Sequence, residues 1–187
     1  MDKIYIAGII HNDSANGPGL RCTIFTQGCC HACHGCHSPH TWAFKVGTEF
    51  SAESLIEEIE RNPLDKAITW SGGDPLCQLP VLLPVMEHFA QKGYDQLLYT
   101  GYSLEELNDV LDEKSSIPYF SSKDLRSASK CLSTFILDPF VLEQRSLDLR
   151  FRGSKNQRVA TPVWEGEKVH LTDMTTQWDA QSLGSSF

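Results

Sequence analysis

An α/β fold with a mainly parallel sheet is predicted from three features of the sequence. Short apolar, β-branched runs alternate with stretches of helical periodicity. The connections between them are short. Each chemically unusual loop directly follows one of the apolar runs. Residues 4–10 are apolar with a β-branched bias and read as a strand. Residues 12–19 hold Asn, Asp, Ser, Gly and Pro, the composition of a loop. Residues 22–26 read as the next strand, which feeds into a cysteine-rich loop. Residues 51–61 open on Ser51 and carry Leu55, Ile56 and Ile59 at helical spacing, with Glu53 one residue short of the capping-box position. Residues 66–70 form a short strand ending at Ser71-Gly72-Gly73. Residues 81–91 read as a second helix, with Pro80 near its start, Gly93 past its end, and Pro84 in the first turn or kinking it. A strand over 96–100, a helix over 104–111 and a strand over 134–137 follow. Residues 113–131 are polar, rich in Ser and Lys and without a clean period, and read as a long loop or a weak helix. The end of the chain, from about residue 175, reads as a loose tail.

A chain of 187 residues suffices for one domain with a real core, so residues 1–187 are expected to form a single domain. Hydrophobic residues make up 41%, yet no apolar run is long enough to span a bilayer. Met1-Asp2-Lys3-Ile4 lacks the basic-then-apolar pattern of a secretory signal, and a cytoplasmic location without membrane contact is expected. A net charge of −8 argues against general nucleic-acid binding. Arg145, Arg150, Arg152, Lys155 and Arg158 crowd one late segment, either a solvated loop or a contact surface for an anionic partner.

Seven cysteines is an odd number, and their clustering argues against a disulfide scaffold and for a reducing compartment. Cys29, Cys33 and Cys36 form Cys-x3-Cys-x2-Cys. Three thiolates on one tight loop suit an iron–sulfur cluster or a zinc ion. A cubane cluster held by three cysteines leaves one iron open to bind a small molecule. In the zinc reading, His31, His34, His37 or His40 supplies the fourth ligand. Cys30 is adjacent to Cys29, cannot easily point at the same metal, and reads as a bystander. Cys22 reads as core, Cys77 and Cys131 as structural.

In Ser71-Gly72-Gly73-Asp74-Pro75, two glycines after a strand let the backbone approach a ligand closely, and Asp74 offers an acceptor for an ammonium group. Taken alone, this is an ordinary strand-to-helix turn. In parallel sheets ligands sit beyond the carboxyl ends of the strands. The cysteine loop, the Gly-Gly-Asp loop and Thr100-Gly101 are therefore expected at one edge. Residues 16–21, 99–102 and 151–158 read individually as turns or polar loops.

Taken in order, these segments closely resemble the activating proteins of anaerobic (class III) ribonucleotide reductase, within the radical S-adenosylmethionine superfamily. The matching pieces are Gly17-Pro18-Gly19-Leu20-Arg21-Cys22, Gln27-Gly28-Cys29, His34-Gly35-Cys36-His37-Ser38-Pro39, Thr41-Trp42, Ser71-Gly72-Gly73-Asp74-Pro75-Leu76, Tyr99-Thr100-Gly101-Tyr102 and Phe151-Arg152-Gly153-Ser154-Lys155-Asn156-Gln157-Arg158. They cover about residues 5 to 160, and the last piece is the most family-specific. Three departures stand out. Gly35 replaces the aromatic residue that many radical enzymes carry before the third cysteine, as in this activator group. Asp138-Pro139-Phe140 lacks the glycine usual after its Asp. Residues 113–131 run longer than the family pattern.

The resemblance implies a partial (β/α)6 barrel, a 4Fe-4S cluster held by Cys29, Cys33 and Cys36, and S-adenosyl-L-methionine on the open iron. One-electron reduction breaks the sulfonium C–S bond. The resulting 5′-deoxyadenosyl radical takes a hydrogen atom from a glycine of the reductase large subunit. A flavodoxin-type electron donor is implied as well. Gly35 and His37 are expected on the adenine side, Gly72, Gly73 and Asp74 at the methionine amino group, and Thr100 at the ribose or carboxylate. Arg152, Asn156, Arg158 and residues 17–21 are candidates for the partner surface. Two other readings stay open: a different small radical enzyme, such as a pyruvate formate-lyase activator or a small-molecule enzyme, and a non-catalytic zinc-binding interaction module.

Overall fold

The computed structural model describes residues 3–184, with side chains described through residue 180. Its core is one eight-stranded sheet in the order β3-β1-β2-β4-β5-β6-β7-β8. The strands are β1 (Ile4–Asp13), β2 (Arg21–Thr26), β3 (Thr48–Phe50), β4 (Ala67–Gly72), β5 (Asp95–Tyr99), β6 (Thr134–Leu137), β7 (Arg158–Glu165) and β8 (Lys168–Asp173). Four central strands, β2, β4, β5 and β6, run parallel. Antiparallel strands flank them, β1 and β3 on one side and the β7–β8 hairpin on the other. Edges β3 and β8 do not pair, so the architecture is an open, partial barrel.

Helices α1 (Ala52–Glu60), α2 (Leu79–Gln91), α3 (Leu104–Leu111) and α4 (Ser122–Cys131) make the crossovers between parallel strands. They pack side by side in the order α1, α2, α4, α3. Each of three starts on a serine box. Ser51 exchanges hydrogen bonds with Ser54, Ser103 with Glu106, and Ser121 with Asp124. In α1 a second serine therefore fills the role that Glu53 misses by one residue. Helix α2 begins two residues before the sequence reading, at Leu79, which leaves Pro84 inside it, where the ring withholds one backbone donor.

Leu98, Trp70, Phe135 and Ile24 bury one face of the sheet against these helices. Leu97, Ile136 and Val159 face the other way, as alternation along a strand requires, and pack with Tyr99 and Trp178. Trp178 lies on α5 (Thr175–Gly184). The reading of a loose tail from residue 175 is thus corrected over its described part. Thr175 Oγ1 accepts from the Val159 amide at 2.9 Å, and the Trp178 indole donates to the Arg150 carbonyl at 3.3 Å. Residues 185–187 lie outside the described residues.

Residues 113–131 hold a true helix, α4. Its buried stripe is Leu125, Ala128, Ser129 and Cys131, mostly small side chains that give little hydrophobic period. No helix among the described residues is long and apolar enough to cross a membrane.

Candidate functional site

The carboxyl ends of β2, β4, β5 and β6 open into one cavity of about 500 Å³. Cys29, Cys33, Cys36, Gly35, His37, Gly72, Gly73 and Thr100 all line it. The sequence expectation that three loops meet at one sheet edge is met. Asp74 is the exception among the candidate residues. It is fully buried behind the cavity wall.

Close backbone approach builds this wall. Gly72 adopts φ of +100°, and a Cβ there would lie 2.4 Å from the Thr26 amide nitrogen. A Cβ on Gly73 would lie 2.2 Å from the Gly28 carbonyl oxygen. Only glycine fits either position. The two loops are tied by Gly73 N–H to Thr26 O and Asp74 N–H to Gly28 O, both 2.8 Å.

The Asp74 carboxylate is buried and engaged on both oxygens. Its Oδ2 accepts from the Thr100 hydroxyl at 2.7 Å and the Gly101 amide at 3.0 Å, and lies 2.7 Å from His31 Nε2. Its Oδ1 accepts from the Leu76 amide at 2.9 Å. The carboxylate therefore holds three loops in register. Thr100 is committed likewise. Its hydroxyl donates to Asp74 and its amide donates to Ile136 O, leaving its carbonyl and methyl group for the cavity. His31, read from sequence only as a possible zinc ligand, is a positioning residue through Asp74 and stacks edge-on against Tyr102 at 4.6 Å.

Burial pushes the Cys29 thiol up to about 11, and the negative charges of Asp74 and Cys30 add to the rise. Burial raises Cys33 as well. Such thiols become thiolates only when a cation joins them, and a metal ion or cluster is the partner this donor set fits. Among the described residues, no three donors of the cysteine loop lie within 4.8 Å of one another. A tetrahedral zinc ion with bonds of ~2.3 Å would draw thiolates to within about 3.8 Å. The group that does meet the 4.8 Å limit is His11, Cys22 and Asp65, on the side where β2 and β4 begin. There the His11 ring lies 2.7 Å from Asp65, and burial with nearby carboxylates pushes Cys22 up to about 12.

In the late arginine-rich segment Arg152 and Arg158 are internally paired, while Arg145 and Lys155 are exposed. Arg158 pairs with both Asp138 and Glu105, each at 2.7 Å. Arg152 is buried against the Gln157 carbonyl and Asp179. Asn156 donates to Pro139 O at 2.8 Å. Arg21 is buried among Thr69, Pro18, Ile68 and Asp95. Of the candidates for a partner surface, Arg21 and Arg152 are buried, Arg158 and Asn156 are partly exposed, and Gly19 and Leu20 are exposed. Where the sequence lacks the glycine after Asp138, Asp138 itself takes a left-handed φ of 76°.

Residues 15–160 match the family described as "4Fe-4S single cluster domain". The chain is 33% identical over 153 residues to the anaerobic ribonucleoside-triphosphate reductase-activating protein of Haemophilus influenzae, covering 78% of this chain and 90% of that protein. The chain belongs to this activating-protein family. The counterpart of Escherichia coli is 30% identical over 79% of this chain and 92% of its own length. A pyruvate formate-lyase-activating enzyme of Clostridium pasteurianum is 32% identical, over 57% of this chain and 49% of that protein. A 4Fe-4S cluster is thus the metal group of this family.

Proposed function

We propose that this chain is a radical S-adenosylmethionine activase that generates a glycyl radical on an anaerobic ribonucleoside-triphosphate reductase. One observation carries the reading. Three thiols and the bare backbone of Gly72-Gly73 line a single open cavity, in a chain whose relatives along most of its length are activators of that reductase.

Cys29, Cys33 and Cys36 would hold the cluster, and the three-cysteine count would leave one iron free of protein ligand. When bound, cluster and S-adenosylmethionine supply one-electron cleavage of the sulfonium and hydrogen-atom abstraction. The chain supplies position. Gly72 and Gly73 offer backbone carbonyls to the ammonium group, and Asp74 keeps them still through Thr100, Gly101 and His31. Gly35 and His37 line the same cavity, and in this proposal they lie on the adenine side. Phe140 and Leu149 add apolar surface that excludes water. The open sheet leaves the cavity mouth free for a glycine-bearing loop of the reductase large subunit. A flavodoxin-type protein serves as electron donor in this proposal.

The test is anaerobic reconstitution with iron and sulfide, followed by reduction, addition of S-adenosylmethionine and assay of 5′-deoxyadenosine. Product that requires all three cysteines supports the reading, and radical transfer to the purified reductase, read by electron paramagnetic resonance, completes it. A colourless zinc protein that yields no 5′-deoxyadenosine overturns it. Transfer to pyruvate formate-lyase in preference to the reductase would assign the other activator class.

A further inference from the structure

Two thiols stand close together outside this machinery. Cys30 Sγ and Cys77 Sγ are 3.6 Å apart. Cys30 is exposed on the cysteine loop, and Cys77 is half-buried in the turn Pro75–Gln78 that follows Asp74. Neither lines the cavity. The Tyr102 hydroxyl lies 3.3 Å from Cys30 Sγ, which helps hold that side chain toward Cys77. The other free thiols are Cys22 and Cys131, both buried, and the three cavity cysteines.

We propose that Cys30 and Cys77 form a reversible disulfide that fastens the cysteine loop to the segment carrying Gly72-Gly73-Asp74. A disulfide has sulfurs about 2.05 Å apart, so the pair closes by an approach of roughly 1.5 Å. The backbones on either side are already braced, by Asp74 N–H to Gly28 O at 2.8 Å and Cys29 N–H to Trp42 O at 3.1 Å. The closure proposed comes from side-chain rotation, with release of the Tyr102 contact. The bond adds a covalent tie to a junction otherwise held by hydrogen bonds. It leaves Cys29, Cys33 and Cys36 as thiols, so the tied chain still accepts a cluster. This last point rests on the activase reading above.

The oxidant is a low-molecular-weight disulfide such as oxidised glutathione. Exposed Cys30 attacks it, and one glutathione leaves with the Cys30 proton. Cys77 then attacks the mixed disulfide at the Cys30 sulfur, and the second glutathione leaves with the Cys77 proton. Two S–H bonds and one S–S bond break, one S–S bond and two S–H bonds form, and two electrons pass from the protein to the oxidant.

The experiment is anaerobic equilibration of the cluster-loaded protein with oxidised glutathione, then alkylation, proteolysis and mass spectrometry. A Cys30–Cys77 linked peptide is expected, lighter by two hydrogens than its two halves and reversed by dithiothreitol, with Cys22 and Cys131 alkylated. After cluster removal, the linked chain should melt several degrees above the reduced chain. Cys77→Ser should leave glutathione on Cys30 and lose the thermal shift. Wild-type protein that accumulates glutathione on Cys30 with no linked peptide overturns the proposal, as does an equal thermal shift in Cys77→Ser. The linked peptide is read independently of 5′-deoxyadenosine, so failure here and failure of the activase reading are separate results.

Discussion

Asp74 Oδ2 lies 2.7 Å from His31 Nε2, joining the loop after β4 to the cysteine loop after β2 through one buried carboxylate. Asp74→Ala strips partners from the Thr100 hydroxyl, the Gly101 and Leu76 amides and His31 together. Each orphaned buried donor costs roughly 1–3 kcal/mol. A loss of about 3–5 kcal/mol is expected in anaerobic urea unfolding of the cluster-free chain. Asp74→Asn should recover part of it. A loss under about 1 kcal/mol would show that the carboxylate is not the joint between these loops.

Cys33→Ala should fold and stay in solution but assemble no cluster. Iron and sulfide content, visible absorption and 5′-deoxyadenosine formation should all fall to background. Normal cleavage by this variant would rule out Cys33 as a ligand.

Gly73→Ala places a methyl group 2.2 Å from the Gly28 carbonyl, where neither backbone has room to yield. The expected result is a fall of more than about 100-fold in S-adenosylmethionine cleavage, since an ångström of misplacement is costly at a reacting centre. Gly93→Ala is the control. Its φ of +76° makes the substitution strained, but a Cβ there meets nothing within 4 Å. It should cost about 1 kcal/mol of stability and leave cleavage unchanged. Equal activity loss in both variants would remove the close-approach argument.

Arg158 sits between Asp138 and Glu105, and its hydrogen bond holds Glu105 down at about 2. A lowered carboxylate value means stability that is complete above the ordinary value of 4.5 and fades as pH falls toward about 2. Glu105 is largely exposed, so high salt should shrink the effect. Acid unfolding curves of wild type and Glu105→Gln should differ at neutral pH and converge near pH 2. Curves a constant distance apart would assign the difference to packing. Arg158→Ala also strands the buried Asp138 carboxylate, and a loss of roughly 3 kcal/mol is expected. Uncoupled cleavage and reductase activation should then decline together. A selective loss of activation would assign Arg158 to the partner surface.

Much of the parallel core was legible because its strands are apolar runs. Helix α3 and strand β6 have the bounds read from sequence. Helix α4 was hidden because Ala128 and Ser129 do much of its burying, and small residues leave a faint period. Strand β3 has three residues, and β7 carries Pro162 on a half-exposed edge-like pattern, so neither gives a clear signal. At the site, cysteine spacing is itself chemistry and was readable. The direction in which Asp74 turns depends on His31, Thr100 and Gly101, which converge only in three dimensions. The pairing of Arg158 was not legible in the sequence. Its partners lie 20 and 53 positions away.

The pairing of β2 with β4 sets an order of events during synthesis. Cys22 aligns with Ile68, and the Gly28 carbonyl waits for the Asp74 amide. A ribosome delivers the three cavity cysteines dozens of residues before the strand that braces them. For that interval the thiols belong to a loop with no wall behind it. Cluster delivery to a nascent chain would therefore meet an unformed receptacle, and maturation should follow release of at least the first four strands.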